Sequence, residues 1–237
     1  YPVIIDNLMN IDLLFKAYEL TGDEKFLIPA ISHADKTMAN HMREDGSAFH
    51  LVAYNPETGA VDGRKTSQGF SDSSAWSRGQ AWAIYGFTMC YRFTGKPEYL
   101  ATAVRAADFF INHKNLPDDH IPYWDFNIGE FTDYEWAYDP DRFTEEPRDA
   151  SAAAVTASAL LELKDYVEDP AKARQYRAAA VKMLTSLASP DYMAEVGDNN
   201  YFLLMHSVAS VPHDSSIDKP EAYADYYFLE ALLRLSN

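Results

Sequence analysis

The chain has 237 residues, with 20 lysines and arginines against 36 aspartates and glutamates, which gives a formal net charge of −16. This excess of negative charge argues against nucleic acid and against an anionic membrane as partners. The single cysteine, Cys90, excludes a disulfide within the chain. No apolar run has the length of a membrane span, so we expect a soluble protein, cytoplasmic or periplasmic, with the compartment left unknown. No signal peptide is recognisable, but the chain does not open with Met, so this says little about the compartment.

Helical periodicity predicts seven helices joined by loops of alternating length. Their expected bounds are residues 6–20, 24–42, 77–93, 97–113, 149–167, 170–187 and 220–235. Residues 46–64 differ, because an apolar stretch leads into the turn sequence Asn-Pro-Glu-Thr-Gly, which is typical of a β-hairpin. The stretches 115–147 and 189–219 are predicted to be irregular.

An internal repeat relates the predicted helical hairpins. Residues 17–27 resemble residues 90–100, both with a Thr-Gly turn after an aromatic helix end, and a weaker copy covers 165–170. A helical hairpin cannot bury its faces alone, so neighbouring hairpins must pack beside it. The repeat predicts an all-α fold in which residues 1–237 form a single domain. That domain would be an incomplete toroid, with about seven of the twelve helices of a six-hairpin ring and a small β-hairpin in one loop.

Four chemically informative residues fall within seven positions at the start of the third predicted helix: Trp76, Arg78, Gln80 and Trp82. Tryptophan offers a flat face to a sugar ring, and arginine offers a rigid fork that can bind a carboxylate. Glutamine can donate to hydroxyls and accept from them. The combination favours a site for an acidic sugar. The alternative is a helix start that buries two aromatic side chains in a core.

Asp6 is a candidate general acid. It follows the apolar residues 2–5 and shares a helix face with Asn10, so desolvation is expected to raise its pKa. The alternative is a helix N-cap, worth roughly 1 kcal/mol. His50 is a candidate site residue or a structural histidine. The seven histidines show no metal-binding spacing and there is no phosphate or dinucleotide fingerprint, so we expect no metal and no cofactor.

Two aromatic segments have open roles at this point. Residues 122–126, Pro-Tyr-Trp-Asp-Phe, place three aromatic side chains around one carboxylate, either as the wall of a sugar subsite or as a plug over one end of the toroid. The segment 223–228 reads mostly as a core helix, with Tyr223 at its start as a candidate ligand contact.

Four stretches together resemble the unsaturated glucuronyl hydrolases of glycoside hydrolase family 88: residues 4–10, 74–87, 123–126 and 225–232. The resemblance covers essentially the whole chain, and the segment from Trp76 to Trp82 is its most specific part. It implies an (α/α)6 toroid, in agreement with the repeat. It also implies a hydrolase that acts on products of polysaccharide lyases, which carry a 4,5-unsaturated uronic acid at the non-reducing end.

The reaction implied by the resemblance is hydration of the C4=C5 vinyl ether, not attack at the anomeric carbon, so the carboxylate-separation rule for glycosidases does not apply. Asp6 matches the catalytic aspartate, which protonates C4 and then, ionised, assists the water that adds at C5. The residues that match the sugar subsite are His50, Gln68, Trp76, Arg78 and Trp82. Arg78 and Gln68 would hold polar groups of the sugar, Trp82 would stack on it, and Gln80 would brace the loop.

The resemblance further implies a second essential aspartate, in a part of the family's chain that these residues do not match. We therefore expect the 237 residues alone to be inactive on an unsaturated disaccharide. The expected partner is an unsaturated uronic-acid oligosaccharide. Two alternatives remain, a non-catalytic carbohydrate-binding helical module and an unsaturated rhamnogalacturonyl hydrolase. The oligomeric state, the preferred linkage and the tolerance of sulfate stay open.

Overall fold

The structure, a computed structural model, describes residues 1–236. Its seven α-helices are α1 (Asn7–Thr21), α2 (Glu24–His41), α3 (Ser77–Thr94), α4 (Pro97–Asn112), α5 (Ala150–Leu163), α6 (Pro170–Leu187) and α7 (Ala222–Ser236). Its five strands are β1 (Pro2–Ile4), β2 (Leu51–Tyr54), β3 (Val61–Lys65), β4 (Ser207–Ser210) and β5 (Ser215–Lys219). A short 3₁₀ turn covers Asn199–Tyr201.

The helices form two layers. Helices α1, α3, α5 and α7 pack side by side, and α2, α4 and α6 each pack on the helix that precedes them. Almost all residues of α5, and all of α3 as far as Cys90, are buried, whereas α4 and α6 bury one face. A helix that is buried on all sides lies in the interior. Helices α3 and α5 therefore lie in the interior. Together with α1 and α7, which flank them and bury fewer residues, they form the inner layer.

Left-handed glycines close the first two helical hairpins. Gly22 and Gly95 follow α1 and α3 with φ angles of +68° and +67°. Their backbone N–H groups donate to the carbonyls of Tyr18 and Tyr91, in the usual glycine cap of a helix C-terminus. The Thr-Gly repeat in the sequence thus corresponds to a repeated turn in the fold.

The predicted helices all form, with ends within two residues of expectation except for α5, which ends at Leu163 instead of residue 167. The β structure is larger than predicted. Strands β2 and β3 form the expected hairpin, but β1 adds a third antiparallel strand beside β2. A strand of three residues, two positions before a helix, shows no visible alternation, so periodicity could not reveal β1.

A second hairpin, β4 with β5, lies inside the stretch 189–219 that was predicted to be irregular. Its second strand reads Ser-Ser-Ile-Asp-Lys, which is poor in strand-forming residues, and Ser216 and Asp218 have positive φ angles. The prediction of irregular structure was therefore wrong for these residues, because their pairing depends on tertiary contacts.

The two end helices of the inner layer keep apolar side chains exposed. Leu13 and Leu20 on α1 are 75% and 84% exposed, and Leu229 and Leu233 on α7 are 49% and 66% exposed. Further hairpins of a ring would pack against these two faces. Among the described residues, no helix combines the length and the apolar character that crossing a membrane requires.

Candidate active site

The N-terminal ends of the four inner helices lie together. Asp6 precedes α1, Arg78 lies in the first turn of α3, Asp149 precedes α5, and Tyr223 lies in the first turn of α7. The guanidinium of Arg78 connects them, since it pairs with Asp149, lies over the Tyr223 ring and acts electrostatically on Asp6. Because helix N-termini carry partial positive charge, this end of the fold favours an anionic ligand.

Asp6 occupies the N-cap position of α1 but does not cap the helix. Its backbone is helical, with φ −54° and ψ −28°, and its carboxyl group accepts no capping hydrogen bond. Oxygen Oδ2 is buried and has no hydrogen-bond partner in the described part of the chain. Burial raises the pKa of Asp6 above its ordinary value, and the charge of Arg78 opposes this. The N-cap alternative is therefore wrong, and the group has the environment of a general acid.

His50 is buried beside Asp6, with Nε2 of the ring 3.8 Å from Oδ2 of the carboxyl group. Its Nδ1 accepts hydrogen bonds from the backbone N–H groups of Ser67 (3.0 Å) and Gln68 (3.1 Å). An imidazole nitrogen that accepts carries no proton, so the proton lies on Nε2. Burial, together with the charge of Arg78, lowers the pKa of His50 to about 3. The ring is thus a neutral N–H donor that faces Asp6.

Arg78 is only 3% exposed, and its guanidinium is held by other groups of the chain. It donates to Oδ2 of Asp149 at 2.9 Å, to the carbonyl of Ala209 at 2.8 Å and to the carbonyl of Val208. These bonds use three of its five N–H donors. Binding of a substrate carboxylate by Arg78 therefore stays a prediction, with two donors left for it.

The two glutamines have different surroundings. Gln68 donates to the carbonyl of Ala209 at 2.8 Å, the same carbonyl that Arg78 contacts. Gln80 is buried and bonds the backbone of Gly46, Ala48 and Ala106. Gln80 thus braces the loop that leads to His50, as expected, while Gln68 lies at the site and connects it to β4.

Trp76 lies beside His50, and Trp82 lies near Asp6. The ring of Trp76 is 4.5 Å from the His50 ring, and Trp82 packs against Tyr223 and Tyr227. The indole N–H of Trp82 lies near the Asp6 carboxyl group without the geometry of a hydrogen bond. Both tryptophans are largely buried, including their Nε1 atoms, so stacking of a sugar on Trp82 stays a prediction.

Within the described residues, four neighbouring side chains each carry a buried polar atom without a hydrogen-bond partner: Asp6 Oδ2, His50 Nε2, Trp76 Nε1 and Trp82 Nε1. Buried polar groups are nearly always paired, because an unpaired one costs free energy. The hydroxyl and carboxylate groups of a sugar that reached this acceptor and these donors could pair with them.

Sequence reasoning missed two acidic residues of this site. Asp149 was predicted only as the first residue of the fifth helix. It caps that helix, and it also binds Arg78. Glu221 lies near Tyr223 and Arg78, and burial raises the pKa of its carboxyl group. Asp149 and Arg78 are 71 positions apart in the sequence, and no local pattern connects them.

Burial of the aromatic segment 122–126 favours the plug over the subsite wall. Trp124 is fully buried and packs with Phe70, Val208 and Val211 in a second small core. Asp125 is buried as well, while Tyr123 lines a cleft of about 740 Å³ whose lining contains none of the predicted site residues. In residues 1–236, no group of three or more histidine, cysteine or acidic side chains is placed to hold a metal ion.

Comparisons with known proteins agree with the motifs. No protein family model matches the chain. The chain is 44% identical over 237 residues to an unsaturated glucuronyl hydrolase of Formosa agariphila, covering 100% of this chain and 55% of that protein. It is 38% identical over 236 residues to an unsaturated chondroitin disaccharide hydrolase of Streptococcus pyogenes serotype M1, covering 99% and 55%.

A crystal structure of an unsaturated glucuronyl hydrolase specific for heparin superposes with a TM-score of 0.90 at 43% identity, covering 100% of this chain and 60% of that chain. The agreement confirms the predicted incomplete toroid. The chain spans about half the length of the curated relatives it matches.

Proposed function

We propose that this chain, which belongs by sequence and fold to the unsaturated glucuronyl hydrolase family, supplies the catalytic acid and part of the sugar-binding wall of a hydrolase. The hydrolase would release the terminal 4,5-unsaturated uronic acid from oligosaccharides that polysaccharide lyases produce. The observation that carries the proposal is the set of four unpaired buried polar atoms on Asp6, His50, Trp76 and Trp82.

Asp6 is the proton donor in this proposal. Its raised pKa keeps a larger fraction of the carboxyl group protonated near neutral pH, and no other group in the described chain occupies Oδ2. The proton goes to C4 of the sugar, and the positive charge that develops at C5 is shared with the ring oxygen. Water then adds at C5, and the ionised Asp6 carboxylate takes up its proton.

The product of this hydration is a hemiketal at C5. When the ring opens, C5 becomes a ketone and the former ring oxygen stays on C1 as a hydroxyl group. C1 is then a hemiacetal that still carries the glycosidic oxygen, and its collapse releases the shortened sugar. His50 would donate a hydrogen bond from its Nε2–H group to the substrate or to the attacking water, because its pKa of about 3 keeps it neutral and its tautomer is set by two backbone N–H groups.

The proposed substrate class is the unsaturated oligosaccharides of glycosaminoglycans. One relative is named for chondroitin disaccharide and one solved structure for heparin. The uronic-acid carboxylate suits the four helix N-termini and the charge of Arg78. Because these two relatives differ in the glycan they are named for, the preferred linkage has to be measured with several unsaturated disaccharides.

The test uses the complete gene product and unsaturated disaccharides prepared from heparin, chondroitin and pectin. We expect the ultraviolet absorbance of the C=C bond to disappear with a glycosaminoglycan disaccharide. Turnover of the pectin disaccharide alone would favour a rhamnogalacturonyl hydrolase. Binding detected by calorimetry without turnover would favour a non-catalytic module. The absence of both turnover and binding would contradict the proposal.

A further inference from the structure

The two carboxylate oxygens of Asp149 have separate partners. Oδ1 accepts from the backbone N–H groups of Ser151 and Ala152 and from the Ser151 hydroxyl, at 3.1, 3.4 and 2.5 Å, and so caps helix α5. Oδ2 accepts only from the guanidinium of Arg78, at 2.9 Å. Both side chains are almost completely buried. Capping of α5 explains the partners of Oδ1, but it does not explain why Oδ2 binds Arg78.

Arg78 could pair with other carboxyl groups nearby. Its charge acts on the pKa of both Asp6 and Glu221, which shows that both lie within electrostatic range. Nevertheless the guanidinium points to Asp149 and to the carbonyls of β4. A fully buried guanidinium that lost its carboxylate would have to find another, because an unpaired buried charge is costly.

We propose that Asp149 is a positioning residue that holds Arg78 on β4 and thereby keeps Arg78 from forming an ion pair with Asp6. The inference rests on the proposed function, since it assigns Asp149 a task only if Asp6 must stay protonated. An arginine paired with Asp6 would stabilise the ionised carboxylate and fill the oxygen that is left free for the substrate.

Four titratable or polar side chains surround Asp6. Arg78 and Trp82 face it from α3, His50 from the segment before β2, and Tyr223 from α7. His50 stays neutral near pH 7, since its pKa is about 3, and burial raises the pKa of Tyr223, so it also stays neutral. Of these four groups only Arg78 carries a charge, so its movement would change the electrostatic environment of Asp6.

The test compares Asp149→Asn with Ser151→Ala in the complete gene product. Asp149→Asn can keep the cap with its amide oxygen but presents an NH2 group to Arg78, whereas Ser151→Ala weakens the cap and leaves Arg78 bound. We expect Asp149→Asn to shift the alkaline limb of kcat toward lower pH, so that kcat near neutral pH falls about tenfold and recovers in acid. Ser151→Ala should lower the melting temperature without moving the limb.

A double-mutant cycle with Arg78→Ala shows whether the effect passes through Arg78. In the Arg78→Ala background, Asp149→Asn should no longer move the limb. A limb that stays in place in Asp149→Asn, or that moves equally in both backgrounds, overturns the proposal. Asp149→Ser, which also retains a cap oxygen, replaces Asp149→Asn if that variant does not fold.

A readout without turnover separates this inference from the proposed function. The titration of the Asp6 carboxyl carbon, followed by NMR in the complete gene product, should move to lower pH in Asp149→Asn. An unchanged Asp6 titration overturns the inference even where the enzyme is active. Absent turnover in the unaltered protein contradicts the proposed function instead.

Discussion

Asp6 and Asp125 are both carboxyl groups whose pKa is raised by burial, but their partners differ. Asp125 accepts from the backbone N–H groups of Phe70 and Asn127 and from the hydroxyl of Ser74, at 2.9, 2.8 and 2.7 Å. Oδ2 of Asp6 is buried and has no hydrogen-bond partner among residues 1–236. Burial and a raised pKa alone therefore do not mark a catalytic group.

The partners of the two groups explain the difference. Asp125 joins the segment before α3 to the aromatic plug, through an isolated bridge between Trp76 and Asp125 and through its three hydrogen bonds. It holds the backbone from which Trp76 enters the site. Under the proposed function, Asp6 stays free of an ion pair because the guanidinium of Arg78 is bound to Asp149.

The largest expected effect on stability comes from removing the carboxyl group of Asp125, which is hydrogen-bonded. Asp125→Ala leaves three buried donors without an acceptor, so we expect a loss of about 3 kcal/mol or more in the free energy of unfolding. Asp6→Ala removes an unpaired group and should change the free energy of unfolding by less than about 1 kcal/mol. Urea denaturation of both variants checks this, and equal losses would break the comparison.

A second effect is the pH dependence of stability. The pKa of Asp125 is about 6 in the folded protein, above its ordinary value of 3.8. A raised pKa in an acid means that the folded state binds the proton more tightly, so this contribution to stability is present in acid. It should be lost as the pH rises from about 4 to 6, by on the order of 3 kcal/mol.

The check compares the pH dependence of urea midpoints for the unaltered protein with that for Asp125→Asn, which cannot ionise. The slope between about pH 4 and 6 should differ between the two. Asp62→Asn, at an exposed position, is the matched control and should retain the slope of the unaltered protein. Parallel slopes for the unaltered protein and Asp125→Asn would contradict the assignment.

The sequence predicted the helices more fully than the site. Helix periodicity and the Thr-Gly turns are local signals, so the hairpins and their order followed from them. The strands β1, β4 and β5 depend on pairing with distant residues and were not expected. The residues alone gave Asp6 as a candidate general acid or an N-cap, because an aspartate at a helix start has the same sequence signal whether or not it caps. The resemblance then matched Asp6 to the catalytic aspartate and His50 to the sugar subsite.

The contacts of Arg78 could not be predicted at all. The residue type and its neighbours indicated a guanidinium group available to a substrate carboxylate. In the structure, three of its N–H donors are bound to Asp149 and to two carbonyl groups of β4. Since β4 itself was not expected, its carbonyl groups could not enter the prediction. Residue type predicts which chemistry is possible, and the tertiary partners decide which part of it remains available.

Gly79 offers a smaller perturbation of the site. A Cβ atom at this position would lie 2.7 Å from Cε3 of Trp76 and 3.3 Å from Cγ2 of Ile5. Gly79→Ala should therefore displace Trp76, cost about 1–3 kcal/mol in the free energy of unfolding and weaken disaccharide binding in calorimetry. Gly63→Ala, where the added carbon meets nothing within 4 Å, is the control. Equal affinities of the two variants would argue against a role for Trp76 in binding.

The smallest expected effect is on the pH profile of a His50 variant. Because the pKa of His50 is about 3, the ring carries no charge between pH 5 and 8. Replacing it by neutral glutamine should lower kcat but leave the alkaline limb of kcat/KM within about 0.3 pH units, since that limb belongs to Asp6. A limb that disappears in His50→Gln would instead assign the titration to the histidine.

The kcat of Asp6→Asn in the complete gene product tests the central claim most directly. Asparagine keeps the shape of the side chain but cannot deliver a proton, so kcat on an unsaturated glycosaminoglycan disaccharide should fall by about 10²- to 10⁴-fold, with disaccharide binding and melting temperature retained. A kcat within a few-fold of the unaltered protein would contradict the assignment of Asp6 as the general acid.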